Sequence, residues 1–137
     1  MNPVATYQRR AVEGATPIGL MVLLYQAMVV QLRKAIAAME TEGHVAKQIE
    51  ARTHALHRVL GITGELKSLL REDGGELARH LAAFYTLCQQ QVLQAVAQRD
   101  PEPLRALLPQ CSRILDAWRQ LEERPAAAAS GTATWTA

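Results

Sequence analysis

The chain has 137 residues, 49% apolar but only 4% aromatic, with 20% charged and a formal net charge of +2. That length suits one domain with a real hydrophobic core, and the apolar content excludes bulk disorder, which needs low hydrophobicity and high net charge. Acidic and basic residues are mixed along the chain with no basic block, which argues against a nucleic-acid partner.

In chain order, Val4, Tyr7 and Ala11 recur at helical spacing and predict a short, loosely held N-terminal helix within residues 1–15. Thr16-Pro17 is an N-cap followed by Pro at the first helical position. The helix it opens is predicted to run to about Thr41, with Gly43 as a left-handed C-cap. A second helix is predicted from about Val45 to Arg71, with its apolar stripe at Val45, Ile49, Leu56, Val59, Leu60, Thr63, Leu66 and Leu70. Gly74-Gly75 breaks the chain. A third helix starts near Glu76 and carries Leu77, Leu81, Phe84, Cys88, Val92 and Ala95 at spacings of three and four. Asp100-Pro101-Glu102 reads as a cap plus an N1-type Pro, with an acidic residue at the positive helix end. The fourth helix carries Leu104, Leu107, Leu108, Cys111, Leu115, Trp118 and Leu121, and Pro125 stops it.

No segment shows strand alternation or a hairpin signal. Four helices joined by short links must lie antiparallel to their neighbours. The expected fold is therefore all-α, an antiparallel up-down-up-down four-helix bundle over residues 16–124, with a short N-terminal helical cover segment at 1–15. The tail, 125–137, is rich in Ala, Ser, Thr and Gly and reads as disordered, with Trp135 unassigned.

Between Ile18 and Leu32 every residue except Gly19, Gln26 and Gln31 is apolar. A signal peptide is the competing reading, but Arg33 and Lys34 interrupt the run before any cleavage site and Glu13 lies in the supposed basic region. The run is also short for a membrane span. A buried helix of a cytoplasmic protein, without stable membrane insertion, is expected.

Projected at 100° per residue, Met21, Leu24, Met28, Leu32, Ala35 and Met39 form the core stripe of the first helix. Leu23, Ala27 and Val30 fall opposite, with Leu20 on one flank and Val22 on the other. An outer face should be polar, and this one is apolar for four turns. Two readings follow: the N-terminal segment covers this face, or the face is a docking groove for a partner's amphipathic helix. Both hold if the segment is a displaceable cover.

The residues able to carry chemistry also have structural roles. Cys88 and Cys111 lie in no CxxC or zinc spacing and are expected as buried reduced thiols. Glu50, His54 and His57 share one helix face, but the second ligand set of a di-iron bundle is absent. His57-Arg58-Val59-Leu60-Gly61 resembles a phosphotransfer histidine only in its Gly, since Leu60 replaces the charge-neutralising Lys. No nucleophile motif or phosphate loop occurs, so neither an enzyme nor a cofactor is expected. Gly61 and Gly64 lie mid-helix and mark either a close helix contact or bend, or a shallow place for a partner. Tyr25 and Tyr85 lie at stripe edges and are read as structural first and groove-lining second.

Three stretches carry a family likeness. Tyr7, Val12 and Ala15-Thr16-Pro17 lead into Leu20-Met21-Val22-Leu23-Leu24-Tyr25; Leu66 to Tyr85 contains Gly74-Gly75-Glu76-Leu77-Ala78; and Leu115-Asp116-Ala117-Trp118 closes the last helix. In this order and spacing the chain resembles the flagellin export chaperones of the FliS family, departing from it at Gln26, where the family often has Asp. The resemblance implies a cytoplasmic, non-enzymatic chaperone of the flagellar type III export system. It would bind the disordered C-terminal segment of flagellin, prevent premature polymerisation and deliver the cargo to the export gate. Partner-binding residues are expected at Tyr7, Val12, Leu20, Leu23, Tyr25, Ala27, Val30 and Tyr85. The alternatives are a general amphipathic-helix adaptor or another secretion chaperone and, further off, a histidine phosphotransfer bundle.

Overall fold

The computed structural model describes residues 16–41 and 46–124. The N-terminal segment 1–15, the tail 125–137 and the expected Gly43 cap lie outside the described residues. Four helices follow one another: α1, Pro17–Glu40; α2, Ala46–Ser68; α3, Gly75–Gln98; and α4, Glu102–Glu122. Each packs on the next and α4 returns to α1, closing an all-α four-helix bundle in which α1 and α3 stand on one diagonal.

The helix ends follow from local chemistry. The Thr16 hydroxyl accepts a 3.0 Å hydrogen bond from the Gly19 N–H, and Pro17 occupies the first turn, as expected. Thr41 ends α1 by donating its hydroxyl to the Ala37 carbonyl at 2.8 Å. Gly75 takes a left-handed φ of 72° at the start of α3, a conformation open to glycine at little cost. Arg99 closes α3 in the left-handed region at φ 53°, the one non-glycine residue there among those described. The start of α4 differs from expectation: Pro101 is the cap position rather than the first helical residue, and the Asp100 carboxylate accepts from the Glu102 N–H at 3.0 Å. α2 ends at Ser68, a turn before Arg71, where the Ser68 hydroxyl bonds back to the Glu65 carbonyl at 2.7 Å. Pro109 lies in the α4 interior, where its ring nitrogen leaves the Arg105 carbonyl without a helical donor.

The core joins Leu24, Met28, Leu32 and Ala35 of α1 to Leu56, Val59 and Leu66 of α2, Val92 and Ala95 of α3, and Leu104, Leu107, Leu115 and Trp118 of α4. Each fully buried large aliphatic contributes roughly 1.5–3 kcal/mol over its exposed state. Two expected core positions are corrected. Ile49 is 41% and Leu77 37% exposed, because each lies in the first turn of its helix, at the bundle's edge. The buried arc of α1 is wider than one stripe and takes in Ile18, Val22, Val29 and Ile36, because α1 is wedged between α2 and α4. By length and composition α1 is able to cross a membrane, and half of its most apolar window is buried inside the bundle.

A polar layer crosses the middle of this core. The Tyr25 and Tyr85 hydroxyls are 2.8 Å apart, both residues being fully enclosed. The Thr63 hydroxyl donates to the Val59 carbonyl at 2.7 Å and lies 3.5 Å from the Met28 sulfur. Cys88 and Cys111 are buried free thiols, and the hydrogen bond to Cys111 together with burial pushes the Cys88 thiol well up. At the bundle's edge Arg105 of α4 pairs with Glu40 of α1 and Glu102 of its own helix.

Candidate partner-binding surface

The expected partner-contacting residues separate into three groups. Tyr7 and Val12 lie outside the described residues. Tyr25 and Tyr85, read as structural first and groove-lining second, are both completely buried, and in this structure they offer a partner no surface. Burial pushes both phenols up, Tyr85 to about 12, so the pair stays neutral as a core bond between diagonal helices. On the outer side of α1, Val30 is 45% exposed, Leu20, Leu23 and Ala27 are half-buried, and Val22, expected on a flank, is buried. Leu20 and Ala27 also pack against the core.

The larger apolar exposure is elsewhere. Leu93 is 62% and Val96 53% exposed, with Leu77 and Leu87 on the same helix also above one third. All four belong to α3, which contributes only Tyr85, Cys88, Val92 and Ala95 to the fully buried set. Leu93 and Val96 flank an open groove of about 400 Å³ between α2 and α3, where Leu56, Leu60 and Val92 face the end of α1 at Met39. A second hollow of about 570 Å³ lies nearer the turn that connects the same two helices, over Leu70, Ala78 and Ala82, and between the two hollows the Lys67 ammonium donates to the Thr86 hydroxyl at 3.2 Å. Sequence reasoning missed this seam. The signal was present: Leu93 and Val96 fall off the Leu81–Cys88–Val92–Ala95 stripe, as a helical projection of the third helix would have revealed.

The two mid-helix glycines now have one reading fewer. A Cβ built on Gly61 or Gly64 meets nothing within 4 Å, so no close packing of the bundle calls for glycine there. Each costs about 0.5–1 kcal/mol against Ala in a helix interior without that compensation. Both lie on the exposed side of α2.

The polar candidates stay dispersed. Glu50, His54 and His57 are all exposed, and among the described residues no three His, Cys, Asp or Glu side chains come together to hold a metal. His57 and Gly61 of the phosphotransfer-like stretch are exposed on the same helix, and His57 lines the groove. The site is thus an open apolar surface suited to holding a chain.

Comparison with known proteins gives the same direction. A family model described as flagellar protein FliS matches residues 1–125. The flagellar secretion chaperone FliS of Bacillus subtilis (strain 168) is 28% identical over 119 residues, covering 87% of this chain and 85% of the relative. That of Vibrio cholerae serotype O1 is 29% identical over 109 residues, covering 79% of this chain and 76% of the relative.

Proposed function

The chain belongs to the FliS family of flagellar proteins, and from that premise we propose that it is a non-catalytic secretion chaperone that binds the C-terminal segment of flagellin in the cytoplasm. Bound there, the segment is kept from premature polymerisation, and the complex is delivered to the flagellar export gate. The N-terminal segment bearing Tyr7 and Val12 acts as a displaceable cover over part of the surface.

The observation that carries this reading is the exposure of Leu93 and Val96 beside the open α2–α3 groove. An apolar groove buries the face of an amphipathic helix, which would otherwise drive self-association. Ordering a disordered segment on binding costs free energy, so a large apolar contact still releases its cargo. The outer face of α1, where Val30 is the most exposed and Leu20, Leu23 and Ala27 are half-buried, adds a second stretch of apolar surface.

The test is co-purification with flagellin. The complex should form with full-length flagellin and be lost when the flagellin C-terminal segment is deleted. Undiminished capture after that deletion sinks the mechanism.

A further inference from the structure

We propose that the α2–α3 groove is selective for the charge of what it seats: an amphipathic helix whose apolar stripe is flanked by acidic side chains. The inference rests on the chaperone reading above and specifies the chemistry of the cargo at this groove.

Three observations converge on it. The first is shape. The lining residues of α2 run from Arg52 to Lys67, about 22 Å at 1.5 Å per residue, which matches roughly four turns of a docked helix. The floor is aliphatic at one end, with Leu56, Leu60 and Val92, and is lined by the small side chains of Ala78 and Ala82 at the other.

The second is the glycine between the two hollows. Gly64 stands four residues after Leu60 and three before Lys67, and these residues line the hollows on either side. Open space surrounds the position of its missing Cβ. A helix crossing this stretch of α2 would meet no side chain at Gly64, beside the 3.2 Å hydrogen bond that the Lys67 ammonium donates to the Thr86 hydroxyl between α2 and α3.

The third is charge. The two hollows are lined by five arginines and lysines against two carboxylates, an excess of three, on a chain whose formal net charge is only +2. Both carboxylates, Glu72 and Asp73, belong to the connecting turn, and Asp73 is already paired with Arg71 at 3.3 Å. No carboxylate lines the hollow that holds Leu93 and Val96, and Arg52 and Arg99 on its walls have no ion-pair partner among the described residues. Cationic walls over an apolar floor complement a helix with an apolar face and acidic flanks, and disfavour one with basic flanks. Hollows set in the seam between two helices fit a helix better than they fit the broad plane of a bilayer.

The test uses two labelled 18-residue peptides with the same Leu stripe at i, i+3, i+4 and i+7, one flanked by Glu and the other by Lys. Binding to the full chain is read by fluorescence anisotropy at low and high salt. The Glu peptide should bind at least about tenfold tighter at low salt, and the margin should shrink as salt screens the exposed charges. Arg52→Glu combined with Arg79→Glu should reverse the preference, and Arg52→Gln combined with Arg79→Gln should abolish it. Gly64→Trp should weaken both peptides, with circular dichroism unchanged in every variant. Equal affinity for the two peptides overturns the proposal. So does a preference that the substitutions leave intact, or an effect of the substitutions on binding to phosphatidylglycerol vesicles but not to peptide.

The same variants against the flagellin C-terminal segment separate the two levels. If the chain discriminates the peptides but does not hold flagellin, the flagellin reading falls and the groove chemistry stands. If flagellin is held and neither the charge variants nor Gly64→Trp changes its affinity, the groove assignment falls and the flagellin reading stands.

Discussion

Tyr25 on α1 and Tyr85 on α3 meet hydroxyl to hydroxyl at 2.8 Å, across the diagonal of the bundle. Their rings are tilted by 49° with centroids 6.4 Å apart, and neither residue has any exposed surface. The backbones of α1 and α3 do not come into contact, so this bond links the two helices through the centre of the core. A buried hydroxyl pair satisfies itself, and that is why two polar tips are tolerated at the core's centre.

The pair should behave as a unit. Tyr25→Phe leaves the Tyr85 hydroxyl buried without its partner and should cost about 1–3 kcal/mol. Tyr25→Phe with Tyr85→Phe removes both polar tips and should cost less than the sum of the single changes. Urea denaturation of the four proteins closes the cycle. Strict additivity would show that the hydroxyls do not interact.

The same burial makes the fold sensitive to alkali. Both phenols are raised above their ordinary value of 10.0, Tyr85 to about 12, chiefly by burial. The Tyr85 contribution to stability is complete below pH 10 and is lost as pH rises through about 12, because the unfolded chain ionises first, and Tyr25 acts in the same direction. Thermal midpoints should fall between pH 10 and 12, with absorbance at 295 nm rising together with unfolding. Replacing both tyrosines by Phe should flatten that limb of the curve.

Gly61→Ala and Gly64→Ala should each stabilise the free protein by about 0.5–1 kcal/mol, since an added methyl meets no neighbour. Thermal or urea denaturation reads this directly. A loss of stability would reveal a backbone constraint at these positions.

Surface charge substitutions should separate binding from folding. Leu93→Asp and Val30→Asp lie on residues 62% and 45% exposed, so both variants should keep their helicity. Each should weaken capture of the flagellin C-terminal segment, Leu93→Asp by at least about tenfold. Leu23→Asp, on a half-buried position, should lower stability as well. Capture unaffected by Leu93→Asp would remove that residue from the docking surface.

Much of the fold was legible because helices punctuate themselves locally. Thr16-Pro17 states its cap in two adjacent residues, and the Leu104–Leu107–Cys111–Leu115–Trp118 spacing states the inner face of α4. The docking surface was harder to read. The projection of α1 found its apolar outer face, yet the width of the buried arc depends on having neighbours on two sides, which took Val22 into the core. A projection sets Leu93 and Val96 off the inner stripe of α3, but the open seam that α2 leaves beside them is a property of the packing.

The helices, their order, the family likeness and the surplus of aliphatic side chains can all be read along the chain, because periodicity, capping and composition are properties of neighbouring residues. Which of those aliphatics face solvent, and which tyrosines face each other, follows from how the helices pack. A side chain's exposure is set by the helices packed around it, and Tyr25 and Tyr85 are sixty residues apart in the chain.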